Sequence, residues 1–271
     1  MTKNWSGERW ETGVNNETAL EHLHRYALAC ELSAGKNVLD IACGEGYGSR
    51  LLANNATSVT GVDIDEVSID KANKKYQAGN LRFMVANAIS TPLPAHSFDL
   101  LVSFETLEHL DEHEQLLQEF KRLLKPEGLL IISTPDKAVY SDKTGYRNPF
   151  HKKELYKPAF EALLHQHFSQ VQLLTQTVCH SSVISTGTQT GLDLYSGNQE
   201  KVEKNNAENG LYLIALAADS ALPHLHTSLF NGKSVLQAAL EEQESTFRNT
   251  LTYRLGHFLL FPFKWIKKRF D

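Results

Sequence analysis

Three side chains within five positions, Glu105, Glu108 and His109 of the string SFETLEHL, carry the densest chemical potential in the 271-residue chain. On a helix, positions i, i+3 and i+4 share a face, so two carboxylates and an imidazole would converge there. Such a set suits Mg²⁺, Mn²⁺ or another divalent ion, or metal-free proton transfer. A second group reads as a nucleotide site. VLDIACGEGYGS, Val38 to Ser49, runs an aliphatic stretch into glycines at 44, 46 and 48, where backbone without Cβ atoms can bend and approach a ligand closely. A dinucleotide fingerprint places its third glycine three positions after the second, which this alternating spacing does not do. Asp40 is poor company for pyrophosphate but suits a cationic amino-acid group. Asp63, closing SVTGVD, can accept hydrogen bonds from both hydroxyls of a ribose or cap the helix that follows.

The hydrophobic pattern supplies a frame for these residues. Short β-rich apolar runs at 37–42, 58–63, 81–85, 98–104 and 128–134 are of the kind that a sheet buried on both faces requires. Helical spacing fills the intervals at 47–54, 66–77 and 111–125, and precedes the first strand in ETALEHLHRYALACEL. Alternating strand and helix implies parallel pairing with right-handed crossovers, hence a doubly wound α/β fold. After a helix near 153–166, FSQVQLLTQT and LYLIALAA read as consecutive strands forming an antiparallel edge, which makes a mostly parallel seven-stranded sheet. The polar connection between them, 177–209, is expected to be a mobile loop or lid.

A formal net charge of −5 argues against general nucleic-acid binding. Cys30, Cys43 and Cys179 are odd in number, far apart and without zinc spacing, which suggests a reducing compartment such as the cytoplasm. No signal-peptide core is visible in MTKNWSGERWETG, and no uncharged apolar run reaches the ~18 residues needed to span a bilayer. The tail HFLLFPFKWIKKRF combines aromatic, aliphatic and basic residues. It is expected either to lie at an anionic membrane face, at the inner leaflet, or to dock on its own domain or on a partner coiled coil.

VLDIACGEGYGS, GVDID, FMVANAISTPLPAHSFDLLVSFETLEHL and LKPEGLLIISTP together resemble the class I S-adenosylmethionine (SAM)-dependent methyltransferases, over about residues 35–136. The resemblance implies a Rossmann-like fold. It places Asp40 and the loop of Ala42, Gly44, Gly46 and Tyr47 at the methionyl portion of SAM, Asp63 on the ribose, and Ile64 on the adenine. Asn87, where the family usually has aspartate, and Ala88 would lie beside the adenine amino group, or Asn87 would satisfy its own backbone; Phe104 would line the pocket. The E-x-x-E-H string is similar to that of metal-dependent members, including small-RNA 2′-O-methyltransferases and quinone-biosynthesis O-methyltransferases. In the RNA enzymes a further histidine arrives from downstream, and NPFHKKEL offers His151. The resemblance therefore implies either a Mg or Mn site of Glu105, Glu108, His109 and His151, or metal-free catalysis by His109, His151 and Glu105.

The segment from Gly7 to Ser49, with NPFHKKEL, resembles methyltransferases of bacterial surface-polysaccharide assembly, including domains of O-antigen chain-terminating enzymes. That implies a lid over residues 7–24 with Arg9, Trp10 and His24 as contacts, and a sugar hydroxyl or sugar-linked phosphate as acceptor. The same site could serve a small phenolic, quinone-like or natural-product acceptor, and a noncatalytic SAM-binding partner protein is the remaining alternative. The expected division is a lid and helix over 1–34, a SAM-binding domain over 35–219, and a helical extension over 220–271.

Overall fold

The structure, a computed structural model, describes residues 17–176, 194–197, 202–205, 211–225, 228–229 and 231–255. Helix α1 (Glu17–Leu32) leads into β1 (Asn37–Ile41), α2 (Tyr47–Leu52), β2 (Ser58–Asp63), α3 (Glu66–Lys75), β3 (Leu81–Val85) and β4 (Phe98–Phe104). Then follow α4 (His113–Leu123), β5 (Leu124–Pro135), α5 (Lys157–His165), β6 (Gln170–Gln176), β7 (Leu194–Gly197), β8 (Val202–Asn205), β9 (Tyr212–Ala218) and α6 (Lys233–Asn249). A seven-stranded sheet in the order β3-β2-β1-β4-β5-β9-β6 is parallel except at β9, which runs antiparallel to both β5 and β6. The reversed strand thus lies one place in from the edge.

Strands β1, β4, β5 and β9 are buried over most of their length because helices cover both faces. On one face Tyr26 and Ala29 of α1 and Leu52 of α2 pack over Val38, Leu100, Ile131 and Leu216. On the other, Leu116, Leu117, Phe120 and Leu123 of α4 and Phe160 and Leu164 of α5 cover Leu39, Leu101, Leu130 and Leu213. The α4 residues recur at three- and four-residue intervals and are fully buried, each contributing about 1.5–3 kcal/mol of hydrophobic stabilisation.

Two expectations change. The strand near 128–134 begins earlier, at Leu124, because Leu124 pairs with Phe98 before a register shift resumes the ladder at Leu100 and Leu129. The polar stretch 177–209 contains an antiparallel hairpin, β7 with β8, so it is not wholly loop; its other residues lie outside the described ones. Arg9, Trp10, Cys179 and the tail 256–271 also lie outside them. In the helical extension, Leu240 and Phe247 of α6 are exposed, as are Leu251 and Leu255 after it. Among the described residues no helix is long and apolar enough to cross a membrane.

Glu119 of α4 ties the β3–β4 connection to the core. Its carboxylate accepts from Thr91 N–H at 2.8 Å, Thr91 Oγ1 at 2.7 Å, and Arg122 Nε and Nη2 at 2.7 Å each. Burial pushes this carboxyl up, but the hydrogen bonds from Arg122 and Thr91 outweigh it and hold the group at about 2. Its stabilisation is therefore complete above the ordinary value of 4.5 and is lost as pH falls from there through about 2. Glu119→Gln is expected to cost about 2–3 kcal/mol in urea unfolding at neutral pH, with the deficit shrinking as the buffer is acidified toward that range. An unchanged deficit across the acid range would contradict the assignment.

Candidate functional site

Strand β1 has β2 on one side and β4 on the other, so the connections leaving β1 and β4 diverge to opposite faces and open a crevice at their carboxyl ends. A cavity of about 420 Å³ lies there. Its walls come from α1, the β1–α2 loop, the ends of β2 and β4, the turn after β4, and the segment from Tyr140 to His151.

The loop after β1 takes its shape from two separate demands. Gly44 and Gly46 are left-handed, with φ +54° and +80°, and Ala42 joins them at +59°. Gly48 is helical, but a Cβ there would sit 1.9 Å from Cζ of Tyr26. The first two glycines thus bend the loop around the cavity, and the third lets α1 close against α2.

Asp40 does not line this cavity, contrary to the sequence expectation. It is buried behind the loop, accepting from Tyr26 Oη at 3.1 Å and from Ser49 Oγ at 2.6 Å. Burial pushes its carboxyl up to about 7; the hydrogen bonds from Ser49 and Tyr26 oppose this and the nearby Asp63 charge adds to it. Its role in this geometry is to lock α1 and α2 around the loop.

Asp63 does reach the cavity. One carboxylate oxygen accepts Gly44 N–H at 2.8 Å, the other Asp65 N–H at 2.9 Å. Helix α3 is capped by Asp65, whose side chain accepts from Val67 N–H, so Asp63 is not the cap. Beside it Ile64, 63% exposed, turns an apolar side chain to the cavity. Ala42, Tyr47, Asn87, Ala88 and Phe104 line the same cavity. Asn87 Oδ1 accepts Ile89 N–H at 3.2 Å, so the asparagine does satisfy its own backbone while facing the cavity.

The E-x-x-E-H string does not form the helical face expected of it. Glu105 adopts φ +53°, and only Leu107–His109 make a single 3₁₀ turn, so Glu105 and Glu108 hang from different backbone and meet different partners. Glu105 Oε1 accepts from Arg25 Nη1 at 2.9 Å and from Ser133 Oγ at 2.6 Å. Glu108, 1% exposed, accepts from Thr134 Oγ1 at 3.0 Å through Oε2, and its Oε1 is buried without a hydrogen-bond partner. Burial, then the neighbouring Glu105, pushes the Glu108 carboxyl well above the usual range.

The two histidines are brought together, with rings edge to face at 5.0 Å. His109 Nδ1 donates to the Phe150 carbonyl at 3.1 Å, which in the neutral ring puts the proton on Nδ1 and the lone pair on Nε2, 3.9 Å from Glu108 Oε1. His151 Nδ1 lies 2.6 Å from Glu154, while its Nε2 accepts from the Asn148 amide at 3.0 Å; Asn148 is oriented by Phe150 N–H on its oxygen. Tyr140 stacks on His151 at 5.4 Å.

The divalent-ion expectation meets a mixed arrangement. Donor atoms of Glu108, His109 and His151 lie within 4.8 Å of one another. Glu105, the fourth expected ligand, is drawn off to Arg25, and both nitrogens of His151 are engaged. As placed, the four residues do not form the four-ligand site expected.

Several lining residues went unpredicted. Thr18, His22 and Tyr26 fall at four-residue spacing on α1, a stripe legible in the sequence; His22 lines the cavity and meets Tyr47 Oη at 2.8 Å, whereas His24 points away to Ser228. Tyr140, Tyr146, Asn148 and Tyr212 complete the far wall. No local pattern marked them, because only the tertiary fold brings their segments to β4.

Residues 39–132 match the family model described as "Methyltransferase domain". A Mycolicibacterium smegmatis protein whose name reads "Probable S-adenosylmethionine-dependent methyltransferase" is 35% identical over 162 residues, 59% of this chain and 62% of that protein. A ubiquinone biosynthesis O-methyltransferase of Coxiella burnetii is 35% identical over 102 residues, 37% of this chain and 44% of its own length. The chain thus spans less than two thirds of the length of these curated relatives. The crystal structure of a SAM-dependent methyltransferase from Archaeoglobus fulgidus aligns with TM-score 0.54 at 21% identity, covering 74% of this chain and 93% of that one. The PH0226 protein from Pyrococcus horikoshii aligns with TM-score 0.54 at 20% identity, covering 76% and 93%. The fold is the Rossmann-like one of these structures.

Proposed function

We propose that this chain is a SAM-dependent O-methyltransferase acting on a neutral sugar hydroxyl. One juxtaposition carries the reading: Asp63 and Ile64 stand on one side of the crevice, and His109 with Glu105 on the other. When bound, SAM supplies a methyl group on a positively charged sulfur, already activated for in-line displacement. Asp63 would hold the ribose by charge-assisted hydrogen bonds, Ile64 would cover the adenine, and the backbone of Gly44 to Gly46 with Tyr47 would receive the methionyl end. Tyr26, held by Asp40, fixes that loop from behind.

His109 would then accept the acceptor's proton on Nε2, as the hydroxyl oxygen bonds to the methyl carbon and the carbon–sulfur bond breaks. Phe150 keeps this imidazole in the required tautomer. A phosphate acceptor fits poorly, since the described lining includes carboxyls at Glu45, Asp63, Glu105 and Glu108 and no lysine or arginine. The rings of Tyr140 and Tyr146, with the amide of Asn148, offer the mix of apolar faces and hydrogen bonding that a hydroxylated ring needs.

Methyl-labelled SAM, presented with a panel of neutral saccharides and a panel of catechols, tests the acceptor class. Label on saccharide is expected. Label on catechol alone would replace the sugar with a phenolic acceptor, and label on neither, with cofactor binding intact, would favour a noncatalytic binding protein.

A further inference from the structure

Arg25 of α1 is the most enclosed cation in the described structure, its side chain 0% exposed. Nη1 meets Glu105 at 2.9 Å, and the guanidinium lies over the Tyr212 ring, 4.6 Å from its centroid. Nε and Nη2 are buried without hydrogen-bond partners. Sealing a guanidinium away costs several kcal/mol unless an anion offsets it, and the main offset here is Glu105, itself fixed by left-handed backbone and by Ser133, with the buried Glu21 of the same helix adding to it. Arg25 is not a wall of the cavity; it stands directly behind two residues that are, Glu105 and Tyr212.

Glu105 faces the cavity together with Glu108, and a carboxylate held there calls for positive charge beside it. A divalent ion is one source, but held by Glu108, His109 and His151 it would leave Glu105 on Arg25 and would have to detach His151 from Asn148 or Glu154. The geometry points to the other source: we propose that Arg25 is the built-in cation of this cluster, a positioning residue that holds Glu105 toward the cavity, so that the chain works without a divalent metal. The part concerning turnover rests on the methyltransferase reading above. The part concerning metal does not.

The test uses the full chain. Mn²⁺ titration followed by electron paramagnetic resonance is expected to show only the free-ion spectrum with the wild type, whereas Arg25→Gln gains a bound signal. In methyl transfer, EDTA is expected to leave the wild-type rate unchanged. Arg25→Gln should lower kcat by roughly 10–100-fold with little change in KM for SAM, and Arg25→Lys, which keeps the charge but not the planar fork, should recover most of it. Stoichiometric Mn²⁺ on the wild type, or loss of turnover to EDTA that Mn²⁺ restores, would overturn the proposal; so would Arg25→Lys as impaired as Arg25→Gln, the mark of a purely structural role. The wild-type titration needs neither a folded variant nor detectable turnover, so its failure is separate from failure of the methyltransferase reading.

Discussion

His109→Ala is expected to lower kcat by roughly 100- to 10,000-fold while leaving affinity for S-adenosylhomocysteine within about twofold. The separation follows from position. His109 lies across the cavity from Asp63 and Ile64, so its removal leaves the cofactor half untouched. The magnitude follows from the tautomer: Nδ1 is committed to the Phe150 carbonyl, so Nε2 is the basic atom presented to an acceptor. His151 is a different case, because Glu154 and Asn148 occupy both of its nitrogens and its ring braces His109 from the side. His151→Ala should therefore act by loosening His109, with a smaller fall in kcat. Steady-state kinetics on both variants check this, and an intact kcat in His109→Ala would remove that residue as the base.

Asp63→Ala carries the second large effect, at least about 1.5–3 kcal/mol of lost S-adenosylhomocysteine affinity, roughly 10- to 150-fold. One charge-assisted hydrogen bond to a ribose hydroxyl accounts for that figure alone. The substitution also leaves Gly44 N–H and Asp65 N–H without their acceptors, so the glycine loop loses an anchor where the cofactor must press against it. Asp40→Asn supplies the contrast. Asp40 sits behind the loop, and its raised value of about 7 means that the fold favours the neutral acid, the cost of ionising it accruing as pH rises from the ordinary range toward that value. An amide meets that environment without charge, so affinity should change far less than in Asp63→Ala. Calorimetric titration of the two variants side by side would contradict this ordering if Asp40→Asn were the weaker binder.

What was legible in advance was what periodicity and local chemistry control. Buried runs such as NVLDI and FDLLVSF announced parallel strands because only apolar residues tolerate helices on both faces, and Asp63 with Ile64 followed from their place at a strand end. The fate of E-x-x-E-H was not legible, because helical spacing predicts one shared face only if the backbone is helical. Glu105 at φ +53° breaks that condition, and its side chain pairs with Arg25, 80 residues away in the chain. Asp40 misled for a similar reason. Its position before the glycines says nothing of which way a buried strand turns it, and Tyr26 and Ser49 claim it from two helices. Tyr140, Tyr146 and Tyr212 belong to segments that meet only in the folded sheet.

Whether the glycine loop and Asp63 form a SAM site is decided by calorimetric titration of the wild-type chain with S-adenosylhomocysteine, beside NADH. One saturable S-adenosylhomocysteine site and no heat of binding with NADH are expected; saturable NADH binding with none for S-adenosylhomocysteine would rule the SAM site out.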